Sequence, residues 1–387
     1  MSEIKSNTVY TVKNPFIAQM TERRMLTKEG STKDTQHYVI DISGSDLIYT
    51  CGDSLGVYPT NRIEDVDAIL KALWLSGEEK VCMKNDPEDI SLRDALFRRV
   101  ALALPTKKFL ITLSEKVSEE EEKKKLEELL SEDSKEATKA YLMNREFIDL
   151  LEDYPSAKFE AQEFVNCLRR LVPRLYSIAS SPSVYPNEVH LTVAVVRYQT
   201  NGHERVGVAS TYLSDRVEVY ERKTPVFVAK SKFGLPEDEN ADLIMVGPGT
   251  GIAPFRAFLQ ERINRGSNSR SWLFFGDQHE ATDNLYGAEF NEYLNKNQLT
   301  RIDNAWSRDQ DYKIYVQDKM RENTADLWDW IKGGAFFYVC GDAERMAVDV
   351  DEALHDIIEK EGGMTEEEAK NYVKQMKKEK RYQRDVY

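Results

Sequence analysis

The chain has 387 residues, a formal net charge of −14 at pH 7 and 41% hydrophobic residues. That length exceeds one ordinary core and predicts two or three domains. The acidic balance argues against general nucleic-acid binding, and without any run of about 18 apolar residues no membrane-spanning helix is expected.

The opening Met1–Ser6 stretch is polar and lacks a signal-peptide core. The four cysteines, Cys51, Cys82, Cys167 and Cys340, are scattered, with no CxxC pair and no metal spacing. This is the usage of a reducing cytoplasm, so cytoplasmic residence and no metal centre are expected. After a polar, basic lead, His37–Ile42 alternates as a strand should, and Tyr49–Tyr58 reads as a turn and a short strand. From Ile63 the period becomes helical, with Val66, Ile69, Leu70 and Leu73 on one face, and it returns in Leu92–Leu104. The charged run Ser118–Leu130 reads as a solvated helix: Glu119–Lys123, Glu120–Lys124 and Glu121–Lys125 are favourable i,i+4 pairs, and Leu126, Leu129 and Leu130 form the buried stripe.

Strand patterning resumes at Leu175–Ile178, Val189–Tyr198 and Val217–Val228, with turns expected at Pro182, Asn201-Gly202 and Thr224-Pro225. From about Ala241, apolar strands alternate with helices. The expected strands are Leu243–Val246, Ser271–Phe275, Lys313–Val316 and Ala335–Cys340, a parallel α/β unit. The candidate boundary before it is Gly234–Asn240.

Three glycines, Gly247, Gly249 and Gly251, follow the Leu243–Val246 run, and Pro254 opens a helix. Glycines at a strand-to-helix turn let the backbone approach a phosphate, and helix-start N–H groups favour an anion. Ile252 stands where a literal G-x-G-x-x-G would end, so an ordinary glycine-rich turn is the competing reading. A second stretch, Pro173–Pro182, puts Arg174 and Tyr176 on one side of a strand. A guanidinium that clamps phosphate and an aromatic that lies on a flat ring suit a nucleotide cofactor; a surface Arg and a half-buried Tyr on a barrel strand is the alternative.

Arg174-Leu-Tyr-Ser177 with Ile178-Ala-Ser-Ser181 resembles the FAD-binding signature of the ferredoxin–NADP reductase family. Further pieces follow in that family's order: Gly207-Val-Ala-Ser-Thr-Tyr-Leu213, Gly247-Pro-Gly-Thr-Gly-Ile-Ala-Pro254, Phe274-Phe-Gly-Asp-Gln278, Ala305-Trp-Ser-Arg-Asp-Gln310, Lys313-Ile-Tyr-Val-Gln317 and Tyr338-Val-Cys-Gly-Asp-Ala343. The resemblance runs from about residue 14 to Tyr387. With its helical insertion it is nearest the diflavin branch, and the ending Lys380–Tyr387 is similar to that of sulfite reductase flavoproteins. The fold it implies is an antiparallel FAD-binding β-barrel with a helical connecting insertion, followed by a parallel-sheet NADP-binding α/β domain. The boundaries expected are 1–62 and 171–233 for the barrel, 63–170 for the insertion and 234–387 for the NADPH domain. Only about a dozen residues precede Asn14-Pro-Phe, so no flavodoxin-like FMN domain is expected in this polypeptide.

The same resemblance implies FAD and NADPH as cofactors and assigns roles. Arg174 pairs with the FAD pyrophosphate, Tyr176 lies on one flavin face, and Ser177 sits within reach of flavin N5. Gly207, Val208, Ala209 and Ser210 donate backbone N–H groups to the pyrophosphate, Ser210 with its hydroxyl as well. Gly247, Gly249, Thr250 and Gly251 cradle the nicotinamide nucleotide, Cys340 stands beside the nicotinamide with Asp385 orienting it, and Tyr387 covers the flavin face that nicotinamide must reach. Ser307 and Arg308, with Lys313, Tyr315 and Gln317 on one face of a strand, suit the 2′-phosphate and adenine. Asp342 is expected to cap a helix Ala343–Ile358. The implied partner is a separate protein electron acceptor, a flavodoxin-like FMN protein or a sulfite reductase haemoprotein. A stand-alone flavodoxin, ferredoxin or haemoprotein reductase and a non-catalytic FAD-binding docking subunit are the rival readings.

Overall fold

The computed structural model describes residues 10–84 and 88–387; the polar Met1–Ser6 lead lies outside them. By packing, the chain divides into two compact units. One holds the described residues as far as Val57 with Leu175–Val195 and Val217–Tyr387; the other holds Tyr58–Arg174 and Val196–Arg216.

In the first unit, six strands form one sheet in the order Arg174–Ser177, Ser54–Val57, Arg222–Ala229, Phe16–Met25, Thr35–Asp41 and Glu188–Ala194. Ile178 bridges to Leu191 and the Ala179 N–H donates to the His190 carbonyl, so the two edge strands meet and the sheet closes into a barrel, which removes both exposed edges. The turn expected at Thr224-Pro225 is instead the interior of a strand: Pro225 pairs with Ile17 and Thr224 with Ala18. Proline is tolerated there because pairing with Ser54–Val57 begins only at Val226, so no ladder donor is needed on that side at Pro225.

The same unit carries a five-stranded parallel sheet, ordered Arg301–Trp306, Ser271–Asp277, Leu243–Val246, Phe336–Gly341 and Tyr382–Val386. Its central strands are buried throughout and alternate by face. Ile244, Val246, Trp272, Phe274, Phe337 and Val339 share one core with the helices Val316–Glu322, Thr324–Lys332, Met346–Gly362 and Glu366–Lys378. Leu243, Met245, Leu273, Phe275 and Tyr338 face the helices Ala253–Asn264 and Gly287–Asn295. The expected strand Lys313–Val316 is absent. Residues 313–315 are irregular, and Val316 starts a helix in which the Asp318 carboxylate accepts from the Tyr315 N–H at 2.8 Å. Three β-prone residues, Ile314, Tyr315 and Val316, were outvoted by that cap, and Arg301–Trp306 takes the sheet position.

Barrel strands and the helices after the parallel strands meet in a buried polar cluster. Arg256 donates to the Ala179 carbonyl (2.8 Å), to His190 Nδ1 (3.2 Å) and to Glu289 (2.8 Å), while the Tyr286 hydroxyl bonds His37 Nδ1 (2.8 Å) and Thr192 (2.7 Å). Burial first, then the Arg256 charge, lowers His37 to about 2 and His190 to about 3. Both rings are therefore neutral in the fold, whereas the unfolded chain protonates them near 6.5. The unfolded state thus binds more protons below that pH, and stability falls as pH drops from about 6.5 toward the folded values. Each histidine is expected to remove roughly 1 kcal/mol per pH unit, read from urea unfolding at pH 7 and pH 5. The loss should shrink in His37→Gln.

The second unit is mainly helical. Ile63–Leu73 buries Val66, Ile69, Leu70 and Leu73, the face expected from its period. The helix begun at Leu92 ends at Arg98, short of Leu104, because a fold-back pairs Val100 with Arg170. Glu120–Leu130 is a helix with Leu126 buried. The segment expected as a single strand Val189–Tyr198 splits: Glu188–Ala194 stays in the barrel, and Arg197–Thr200 forms a separate hairpin with His203–Val206. Asn201 and Gly202 both have positive φ, 50° and 77°, as a tight hairpin turn of this hand requires. That hairpin brings Arg205 onto the buried Asp149 carboxylate, with both side chains 4% exposed.

Candidate functional site

In the first unit, the chemistry-bearing residues gather at the C-terminal ends of the parallel strands. The strand Leu243–Val246 delivers a short 3-10 turn, Gly249–Ile252, which runs into the helix Ala253–Asn264 with Pro254 in its first turn. This is the crevice where strand order changes direction, the general location of ligands in open α/β sheets. A Cβ on Gly251 would lie 2.1 Å from the Cys340 carbonyl oxygen, and one on Gly247 would lie 2.5 Å from the Gly251 carbonyl. Only glycine permits this close approach of two backbones.

The edge strand Tyr382–Val386 places Asp385 opposite Cys340 in register. Ser177 Oγ donates to Asp385 Oδ2 at 2.8 Å, and Cys340 Sγ lies 3.9 Å from the same oxygen. Burial, reinforced by the neighbouring Asp385 carboxylate, pushes the Cys340 thiol well above its ordinary range. It stays protonated, which suits a weak donor and a shape element better than a nucleophile. The Tyr387 hydroxyl bonds Thr250 Oγ1 at 2.9 Å, its N–H donates to the Gly341 carbonyl, and the residue as a whole is 65% exposed. Five residues from four separate stretches of the sequence, Ser177, Thr250, Cys340, and Asp385 with Tyr387, are thus brought together.

Along the sheet, Ser307 N–H donates to the Asp277 carbonyl and Arg308 N–H to the Gln278 carbonyl, both at 2.9 Å. Arg308, Lys313 and Tyr315 are exposed. Gln317 does not join them on a strand face: it is buried in the helix Val316–Glu322, with its amide donating to Asp349 at 3.0 Å. Asp342 accepts from the Arg345 and Met346 N–H groups at 2.7 and 3.0 Å, so it caps as expected, though the helix runs Met346–Gly362.

In the second unit, Gly207 precedes the one-turn helix Val208–Thr211. A Cβ there would lie 2.6 Å from Ser210 Oγ and 2.9 Å from Val196 Cβ. The Ser210 hydroxyl is already engaged, accepting from Val196 N–H and donating to the Gly207 carbonyl, each at 3.1 Å. What this turn offers an anion is therefore backbone N–H. Arg174 is exposed; Tyr176, in the first unit, is half-buried. Backbone cradles without room for a Cβ, together with exposed cations, fit the phosphates of FAD and of a nicotinamide nucleotide.

Residues 9–212 match the family model described as "FAD binding domain", and residues 245–352 match "Oxidoreductase NAD-binding domain". The chain belongs to the ferredoxin–NADP reductase superfamily. Its relatives include proteins named sulfite reductase [NADPH] flavoprotein alpha-component. That of Bacillus subtilis (strain 168) is 44% identical over 379 residues, covering 98% of this chain and 62% of the relative. That of Photorhabdus laumondii is 45% identical over 381 residues, covering 98% and 62%, and that of Zymomonas mobilis is 44% identical over 384 residues, covering 99% and 62%. The chain thus spans about 62% of the length of these relatives.

As a member of this superfamily, the chain is a flavoprotein oxidoreductase with FAD and NADPH as its cofactors. Among the described residues, no helix is long and apolar enough to cross a membrane, and no His, Cys, Asp or Glu cluster is arranged for a metal. In this reductase, two charged residues that the sequence reading left without a role stand beside the glycine loop. Lys33, from the lead passed over as polar, forms an ion pair with Asp277. Asp277 lies within the quoted Phe274–Gln278 motif. The signal was present in that motif, but nothing local shows that residues 33 and 277 meet.

Proposed function

We propose that this chain accepts hydride from NADPH at its FAD and releases the electrons singly to a separate protein. When bound, FAD supplies the conversion from two-electron to one-electron transfer. The residues supply placement and shelter. Gly247, Gly249, Thr250 and Gly251 hold the nicotinamide nucleotide by backbone approach; Ser307, Arg308, Lys313 and Tyr315 take its adenosine phosphate, and Gln317 supports that segment from beneath. Arg174 and the N–H groups of Val208, Ala209 and Ser210, with Gly207 allowing the approach, hold the FAD pyrophosphate, and Tyr176 lies along its ring. Ser177 and Cys340, both turned to Asp385, fix hydrogen-bonding groups where the two rings react, and Tyr387 covers that place until nicotinamide enters. The observation that carries this reading is the Ser177–Asp385–Cys340 cluster beside a glycine loop that tolerates no Cβ.

The acceptor we favour is a sulfite reductase haemoprotein, reached directly or through a flavodoxin-like FMN protein, since the relatives carry that reductase's name. We place the reaction in the cytoplasm, where four free cysteines are at home. The test is anaerobic addition of NADPH to the purified protein. The flavin absorption band should bleach with one equivalent, and the bleached protein should then reduce the haemoprotein. Protein that stays colourless with excess FAD, or yellow protein that NADPH leaves unbleached, overturns the reading.

A further inference from the structure

The helix proposed to hold the FAD pyrophosphate is a single turn, Val208–Thr211. So short a helix has little macrodipole of its own, and its N–H groups alone are a weak match for a dianion. The chain continues directly as a π-helical turn, Tyr212–Arg216, a distortion common at functional sites. That turn brings Arg216 back onto Val208. One terminal nitrogen of its guanidinium donates to two carbonyls at once, Val208 at 2.6 Å and Thr60 at 3.1 Å. The Val208 carbonyl belongs to the same peptide group as the Ala209 N–H, one of the donors offered to the pyrophosphate. In a trans peptide the two point opposite ways, so a grip on the carbonyl fixes the direction of the N–H. A cation on the carbonyl also polarises that N–H into a stronger donor.

The charge of Arg216 is not cancelled by an ion pair of its own. Asp215 and Asp65 are the carboxylates that act on it, and both are taken: Asp215 by Arg197 and Asp65 by Arg62, each at 2.8 Å. Arg216 is half-buried, and its Nε is buried without a partner, so its placement does not serve the guanidinium's own hydrogen bonding. Burial opposes its charge, yet a guanidinium stays protonated at physiological pH. Keeping such a cation without a carboxylate is costly unless an anion completes it. We propose that Arg216 is a positioning residue for FAD: through the Val208–Ala209 peptide it aims and strengthens the N–H that meets the pyrophosphate, and it adds a positive charge behind that N–H to the one Arg174 supplies. This rests on the flavin reading above and adds to it a residue that acts through the backbone.

The test is titration of the apoprotein with FAD, followed by flavin fluorescence, together with phosphorus NMR of the bound pyrophosphate, in wild type, Arg216→Lys, Arg216→Gln and Arg216→Met. Lysine keeps the charge and can donate to both carbonyls, glutamine keeps donors without charge, and methionine keeps neither. Loss of a charge-assisted hydrogen bond predicts that the Kd for FAD rises about thirtyfold in Arg216→Met and about tenfold in Arg216→Gln, and stays within about threefold of wild type in Arg216→Lys. The pyrophosphate resonances should move in the two neutral variants and hold in Arg216→Lys. Added salt should weaken FAD binding less in Arg216→Gln than in wild type, because less charge is left to screen. Melting temperatures of the apoproteins report folding; if Arg216→Met does not fold, the glutamine and lysine variants carry the test. A Kd in Arg216→Gln within about threefold of wild type, or weaker binding with unmoved resonances, overturns the inference, because a packing role alone leaves the phosphates as they were. Arg216→Lys as weak as Arg216→Gln overturns it too. Wild-type protein that binds no FAD overturns the flavin reading with it.

Discussion

Replacing Asp385 by alanine is expected to slow reduction of the bound flavin by NADPH by about two orders of magnitude, while FAD content and NADP+ affinity change little. Asp385 Oδ2 is the shared partner of Ser177 Oγ at 2.8 Å and of Cys340 Sγ at 3.9 Å. Without it, the hydroxyl and the thiol lose the acceptor that aims them, and both are free to rotate. Loss of alignment at the reacting atoms costs rate on the order of a hundredfold without a matching cost in ground-state binding. Asp385→Asn keeps an acceptor for Ser177 but turns an N–H toward the thiol or the hydroxyl, so it should fall between wild type and alanine. Stopped-flow absorbance under anaerobic conditions separates flavin reduction from later steps. A rate within threefold of wild type in Asp385→Ala would remove Asp385 from the proposed machinery.

The second large effect is expected at Tyr387. It is held by one hydroxyl contact to Thr250 and by backbone bonds to Gly341 and Ala343. If the ring stands where nicotinamide must enter, each coenzyme has to wait for it to move. NADPH, anchored by its additional phosphate, remains bound through that wait, whereas NADH dissociates first. Removing the ring therefore helps NADH far more. Tyr387→Ala should lower the ratio of kcat/KM for NADPH over NADH by about 10- to 100-fold, mainly through a gain for NADH. Steady-state rates with both coenzymes measure it; an unchanged ratio would mean that the ring covers nothing the nicotinamide needs.

Much of the fold was legible in short-range pattern. The buried face of Ile63–Leu73 and the strands at Leu243 and Ser271 follow from apolar period and run length. The misreadings share a cause. At Thr224-Pro225 a proline was taken for punctuation, yet the tertiary position excused its missing donor. At Lys313–Val316 β-branched and aromatic residues spelled a strand, but a carboxylate at Asp318 and the place already filled by Arg301–Trp306 made it a helix start. At the site, the glycines announce themselves locally because their constraint is local. The Lys33–Asp277 pair joins two segments with nothing in common in the sequence, so only the folded chain shows it.

The bond between Ser177 and Asp385 spans 208 positions of chain, and loop closure over such a distance precedes any reward from the contact. During synthesis Ser177 leaves the ribosome long before its partner is translated, and the barrel strand that bears it can pair early with its neighbours. On the proposed roles of Ser177 and Asp385, electron-handling competence arrives late, once the edge strand Tyr382–Val386 has docked. A nascent chain with its barrel already formed would lack the Ser177–Asp385 contact until that moment.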